Sequence, residues 1–182
     1  MPGFSPCGAA GSPRATKSAH FRRTTVANEP SPSMQAVLRP QLLHGVGITL
    51  SGSSAPEIQQ RLNQLGAAKG DDVLIHAATP PEDADGVRAA LDDAWDAIRT
   101  HKLPPSPGLI VLLSPPPTDP HAQAARAGLE NLARTLSIEW ARHETRVVTI
   151  HQAGDPYATA ELVAFLASAA GAYYAGCAFT LR

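Results

Sequence analysis

From Leu38 onward the apolar positions follow two alternating rhythms. HGVGITLSG (44–52) is an apolar stretch of strand character. It gives way to APEIQQRLNQLG (55–66), where Ile58, Leu62 and Leu65 recur at helical spacing. DDVLIHAAT (71–79) reads as a buried strand. DADGVRAALDDAWDAIRTHK (83–102) then sets Val87, Leu91, Trp95 and Ile98 along one helical face. GLIVLLSP (108–115) is the strongest strand, a continuous Ile/Val/Leu run of the kind covered on both faces. A long helix over 121–143 carries Leu129, Leu132, Leu136 and Trp140 on one side. RVVTIHQ (146–152), a helix over 160–169 and AGCAFTL (175–181) close the series.

Strand and helix alternate without a break. Crossovers between parallel strands are almost always right-handed, so the pattern predicts an α/β fold. The expected architecture is a Rossmann-like, doubly wound parallel sheet of about five strands with helices on both faces.

The first 35 residues have no such rhythm. They are rich in Gly, Pro, Ser and Thr, cannot bury enough surface to offset the entropy of ordering, and read as a disordered tail (1–35) before one domain (36–182). Arg14, Lys17, Arg22 and Arg23 outweigh Glu29, which is faintly like a transit peptide. The plainer reading is a stretch upstream of a natural start at Met34.

Composition narrows the function. With 15 Lys+Arg against 16 Asp+Glu the net charge is -1, which argues against nucleic acid and anionic membrane surfaces. No apolar run approaches the ~20 residues that span a bilayer. Cys7 and Cys177 sit at opposite ends and build neither a disulfide framework nor a metal cluster, which fits the cytoplasm. The histidines, among them His76, His101, His121, His143 and His151, show no metal-ligand spacing. Ser114, Asp119 and His121 share one loop and could form a hydrolytic set. No Gly-x-Ser-x-Gly elbow supports it.

ARAGLENLARTLSIEWARHETRVVTIHQAG (125–154) resembles the helix-and-strand signature of the short-chain dehydrogenase/reductases, and the likeness extends over about 71–181. DVLIHAAT (72–79) is similar to the family's fourth strand, GLIVLLSP to the strand ending in its catalytic serine, and 160–181 to its last helix and strand. The resemblance implies a hydride-transfer site made of serine, tyrosine and lysine. The serine position falls on Pro115, with Ser114 one residue early; the tyrosine position falls on Ala122 and the lysine position on Arg126. Alanine has no proton to transfer. Arginine stays charged and its fork does not reproduce an ammonium. Arg126 has a simpler partner in Glu130, four residues on.

The resemblance also implies a glycine-rich turn that cradles the cofactor pyrophosphate. In SGSSAPEI (51–58) Gly52 matches its first glycine, but the later ones fall on Pro56 and Ile58. Proline lacks the N–H a phosphate uses, and isoleucine blocks close approach. The family's Asn-Asn-Ala-Gly corresponds to His76, Ala77, Ala78 and Thr79, and its Pro-Gly to Gln152 and Ala153. Only about 24 residues separate Gly52 from His76, too few for two further βα units. The expectation is a shortened, catalytically degenerate member, without its second and third strands and with the first strand at an edge.

Two functions follow. In the first, the chain binds no cofactor and is a structural or regulatory subunit, a homo- or hetero-oligomer joined to an active family member through helices 83–102 and 121–143. In the second, it is an NAD(P)-dependent oxidoreductase using other residues, such as His121, histidine being a common general acid/base.

Overall fold

The computed structural model describes residues 38–53, 56–103, 105–152 and 154–181. The tail expected over 1–35, with Cys7 and Met34, lies outside them. One parallel sheet organises the described residues. In chain order the elements are β1 (Gly47–Gly52), α1 (Pro56–Gln64), β2 (Ala68–Lys69), β3 (Val73–Ala77), α2 (Ala84–Lys102), β4 (Gly108–Ser114), α3 (Pro120–Glu139), β5 (Thr145–His151), α4 (Pro156–Ala167) and β6 (Ala178–Thr180). The strand order is β2-β1-β3-β4-β5-β6, parallel throughout.

The sheet has six strands where the hydrophobic pattern suggests about five. The extra one, β2, is two exposed residues pairing Gly47 with Ala68 and Ile48 with Lys69. A strand that buries no side chain leaves no apolar run to read. The doubly wound order 3-2-1-4-5-6 places two full strands outside the first. Here a two-residue strand stands in their place and covers only the start of β1.

The helices start at recognisable signals. Asp83 accepts from the Gly86 N–H at 2.7 Å, Asp119 from those of His121 and Ala122, and Asp155 from that of Tyr157. In α3 and α4 the capping aspartate precedes a proline whose missing N–H costs nothing in a first turn. The last helix therefore begins at Pro156, four residues before its apolar rhythm.

α1 and α4 cover one face of the sheet, packing Ile58, Leu62, Val163 and Leu166 on Ile48, Ile75, Val111, Leu113 and Ile150. α2 and α3 cover the other, with Ala94, Ile98, Leu129, Ala133 and Leu136 on Leu74, Ile110, Leu112 and Val147. The buried stripe of α2 is Ala90, Ala94, Ile98 and Lys102, not the expected Val87, Leu91, Trp95 and Ile98. Alanines let this helix lie close to the sheet. That rotates Val87 and Leu91 to the half-buried margin and leaves Trp95 36% exposed. Leu91 fills the notch at Gly128 of α3, where a Cβ would come within 2.8 Å of its methyl group. α3 ends at Glu139, short of the expected 143. Trp140 caps it and residues 141–143 form one 3-10 turn, closed by Glu144 at φ 56°. Among the described residues no helix is long and apolar enough to cross a membrane.

Candidate functional site

In a doubly wound sheet ligands sit beyond the carboxyl ends of the strands, at the point where the strand order reverses. That point lies between β1 and β3, and here the two strands are stitched together. The Ser53 N–H donates to the Ala77 carbonyl at 2.9 Å. Ser51 Oγ lies 2.9 Å from His76 Nδ1. Gly52, at φ 76°, is required by this closure: a Cβ there would fall 2.1 Å from the Ala77 oxygen. Ile58 is buried against the sheet, and Pro56 opens α1 without an N–H. Thr79 is exposed at the mouth of a cleft of about 400 Å³ that also carries Glu82, Asp83 and Asp93. Three carboxylates disfavour an anionic ligand there.

The second group of expected positions gathers at the ends of β4 and β5 and the start of α3. Ala122 is fully buried, a packing residue. Arg126 does not bridge to Glu130; its guanidinium donates to the Pro115 carbonyl at 3.2 Å. Glu130 instead takes Arg134, one turn further along α3, and His151 of β5. Nor do Ser114, Asp119 and His121 form a set. Asp119 is the helix cap, its carboxyl held below the usual range by the Ala122 N–H, the Thr118 hydroxyl and the His121 N–H. His121 is half-buried beside it.

Ser114 has a different partner, one the sequence does not announce. It pairs in register with His151, and its Oγ lies 2.8 Å from His151 Nδ1. His151 Nε2 is 3.3 Å from Glu130 Oε2. Serine, histidine and carboxylate stand in the order of a hydrolytic triad. Yet Ser114 is 0% exposed, so no acyl group reaches its oxygen. The only signal in the chain is that Ser114 and His151 each end a strand, and parallel register makes them neighbours.

Thus two serine–histidine pairs, Ser51–His76 and Ser114–His151, lie on the α2/α3 side of the sheet. Burial pushes both imidazoles down. For His76 the charge of Asp93 works against this; for His151 Arg126 adds to it and Glu130 opposes it. The pairs differ in completeness. His151 has a partner on each nitrogen, whereas His76 Nε2 is buried with none. Among the described residues no three His, Cys, Asp or Glu side chains come together as a metal site would require.

No family model matches the chain, and no curated protein matches it by sequence. Solved structures do. A citronellol catabolism dehydrogenase (AtuB) of Pseudomonas aeruginosa is similar over 80% of this chain and 97% of its own, at 18% identity and TM-score 0.59. An NADH-dependent enoyl-[acyl-carrier-protein] reductase of Aquifex aeolicus covers 76% and 96%, at 16% identity and TM-score 0.63. The Bacillus cereus enoyl-acyl carrier protein reductase, solved with NADP+ and indole naphthyridinone, covers 78% and 96%, at 13% identity and TM-score 0.64. The fold is that of the short-chain dehydrogenase/reductases.

Within a short-chain dehydrogenase/reductase fold the stitched β1–β3 junction is where a dinucleotide pyrophosphate would lie. The residues present do not fit that group. The crevice is closed by Ser53 and Ala77, the helix behind it opens with a proline, and the neighbouring cleft is acidic. Beyond β1, where the full fold lays further strands, an open groove of about 390 Å³ runs past Thr49, Gln59, Asn63 and Lys69.

Proposed function

We propose that this protein is a non-catalytic member of the short-chain dehydrogenase/reductase fold, acting as a structural or regulatory subunit beside an active oxidoreductase. One observation carries the reading: at the family's tyrosine, lysine and first glycine positions, the residue is committed to the protein itself. Ala122 is packed, Arg126 holds the Pro115 carbonyl, and Gly52 lies against Ala77. A proton-transfer group must reach the reacting oxygen, and none of these does.

The partner reading rests on α2 and α3. Val87 and Leu91 on the margin of α2, the 36%-exposed Trp95 and the half-buried Leu132 of α3 form an apolar edge suited to a homo- or hetero-oligomeric contact. A stable interface of this kind buries well over ~1,000 Å². The reading sets the protein in the cytoplasm, where Cys177 stays a thiol.

Two measurements test it. Nicotinamide fluorescence titration is expected to find no NAD(H) or NADP(H) binding tighter than about millimolar, roughly 4 kcal/mol, and no carbonyl reduction above buffer. Micromolar affinity, or a rate that His121→Ala abolishes, would make the protein an oxidoreductase with an unusual acid. Light scattering of the full chain, alone and mixed with an active short-chain dehydrogenase/reductase, is expected to show an oligomer that Trp95→Ala dissociates. A monomer indifferent to every candidate partner defeats the subunit role.

A further inference from the structure

The line Ser114–His151–Glu130 ends beside the loop 115–119, which joins β4 to α3 and lies at the carboxyl edge of the sheet. Only a few bonds hold this loop. Arg126 donates to the Pro115 carbonyl, and Asp119 caps α3. Pro115, Pro116 and Pro117 have no N–H to add.

The hydrogen bonds define the state of His151. Ionised Glu130 can only accept, so the imidazole N–H sits on Nε2, and Nδ1 accepts from the Ser114 hydroxyl. Ser114 Oγ has a second acceptor in reach, the Ile150 carbonyl at 3.4 Å. A proton arriving on Nδ1 therefore meets a hydroxyl that can turn: Nδ1–H donates to Oγ, and Oγ–H donates to Ile150. Both protonation states have a complete set of partners. His76 lacks this, since its Nε2 has no partner in either tautomer.

The charges around His151 come from one helix edge. Arg126, Glu130 and Arg134 follow at four-residue intervals along α3 and share a side of it. Glu130 divides its carboxylate between Arg134 and His151. From the neighbouring strands β4 presents Ser114 and β6 presents Thr180 in register, neither charged. A positive His151 thus gains from Glu130 and is repelled by Arg126, which makes no ion pair among the described residues although the Glu130 charge attracts it as well.

We propose that Ser114, His151, Glu130 and Arg126 form a proton-driven latch on the loop 115–119: when His151 takes up a proton, the Ser114 bond reverses and Arg126 is pushed off the Pro115 carbonyl, freeing the loop. The latch acts on the protein's own conformation and does not depend on whether the chain turns over substrate.

Imidazole NMR titration of the full chain, with amide protection at Thr118 and Ala122 followed from about pH 7.5 to 5, tests it. The expected result is an about tenfold loss of protection that follows the His151 ring and not the separately resolved His76 ring. His151→Gln offers both nitrogens' partners an uncharged replacement and is expected to show no such step. Arg126→Gln removes the tether and is expected to show low protection at every pH. The latch is overturned if protection stays constant while the His151 ring protonates, if the ring stays neutral until the protein unfolds, or if either variant keeps the step.

Discussion

The two faces of the sheet are built from the same strands and differ in kind. Toward α1 and α4, Val73, Ile75, Leu109, Val111, Leu113, Val148 and Ile150 are apolar to the ends of the strands. Toward α2 and α3, β3 and β4 begin apolar and finish polar, in His76 and Ser114. On that side β5 keeps one apolar residue, Val147, among Thr145, Thr149 and His151, and β1 adds Ser51. The first face packs along its length, apart from Arg146 at the start of β5, whose guanidinium donates to the Leu166 and Gly171 carbonyls. The second packs at its amino end and carries hydrogen-bonded pairs at its carboxyl end, where this fold places ligands. The polar row thus sits where the fold keeps chemistry, with its serines and histidines turned inward on each other.

The comparison can be broken at either face. The largest effect is expected on the apolar one: Leu113→Ala leaves a cavity in the layer beneath α1 and α4 and costs about 2–5 kcal/mol, read from urea unfolding. A value under 1 kcal/mol would mean that this face repacks freely and is not the rigid layer. On the polar face His151→Leu removes the ring's hydrogen bonds to Ser114 and Glu130, leaving them the Ile150 carbonyl and Arg134, and a loss of about 1–3 kcal/mol is expected.

Acid separates the faces without a mutation. His76 and His151 both protonate less readily folded than unfolded, where the imidazole titrates near 6.5. Above that pH neither state is charged and stability is level. Below it the unfolded chain takes protons first, so stability falls until the folded pKa values are passed. Each unit of depression is worth about 1.4 kcal/mol. Unfolding midpoints measured from pH 7.5 downward check this, and a protein as stable at pH 5.5 as at 7.5 would contradict it. The smallest effect is expected from the double variant Ser51→Ala with His76→Leu. Both partners leave together and the orphaned Nε2 goes with them, so stability should change by no more than about 0.5 kcal/mol. A cost as large as that of His151→Leu would erase the distinction between the two pairs.

Much of the fold was legible because burial and period speak directly. β3, β4 and β5 are buried along nearly their whole length, and a continuous apolar run is what such strands require. The Asp-Pro starts of α3 and α4 are signals of the same local kind, although the apolar rhythm alone set the last helix too late. β2 was not legible, since two exposed residues paired by backbone bonds carry no pattern. The α2 stripe was misjudged because spacing marks an apolar face without saying which part of it meets the sheet. Two alanines and a lysine stem took the close positions, and the tryptophan was left outside. Part of the candidate site was legible as the residue types at the family's positions: Pro115, Ala122, Arg126, Pro56 and Ile58. Their partners were not. Arg126 faces Glu130 in sequence spacing and a carbonyl in space, and Ser114 meets a histidine 37 residues away.

The sequence by itself therefore determined the alternation of strand and helix, the parallel sheet that follows from it, and the residue types standing where the fold keeps its chemistry. These depend on short-range periodicity and on chemical identity, which the chain carries locally. Only the tertiary structure decided that β1 and β3 close on each other at Gly52, that Ser114 and His151 share a register, and that Glu130 turns to β5 while Arg126 turns to the loop. Those outcomes depend on which strand lies beside which and how each helix is rotated on the sheet. Long-range packing sets both, because it selects among hydrogen-bond partners that look equivalent along the chain.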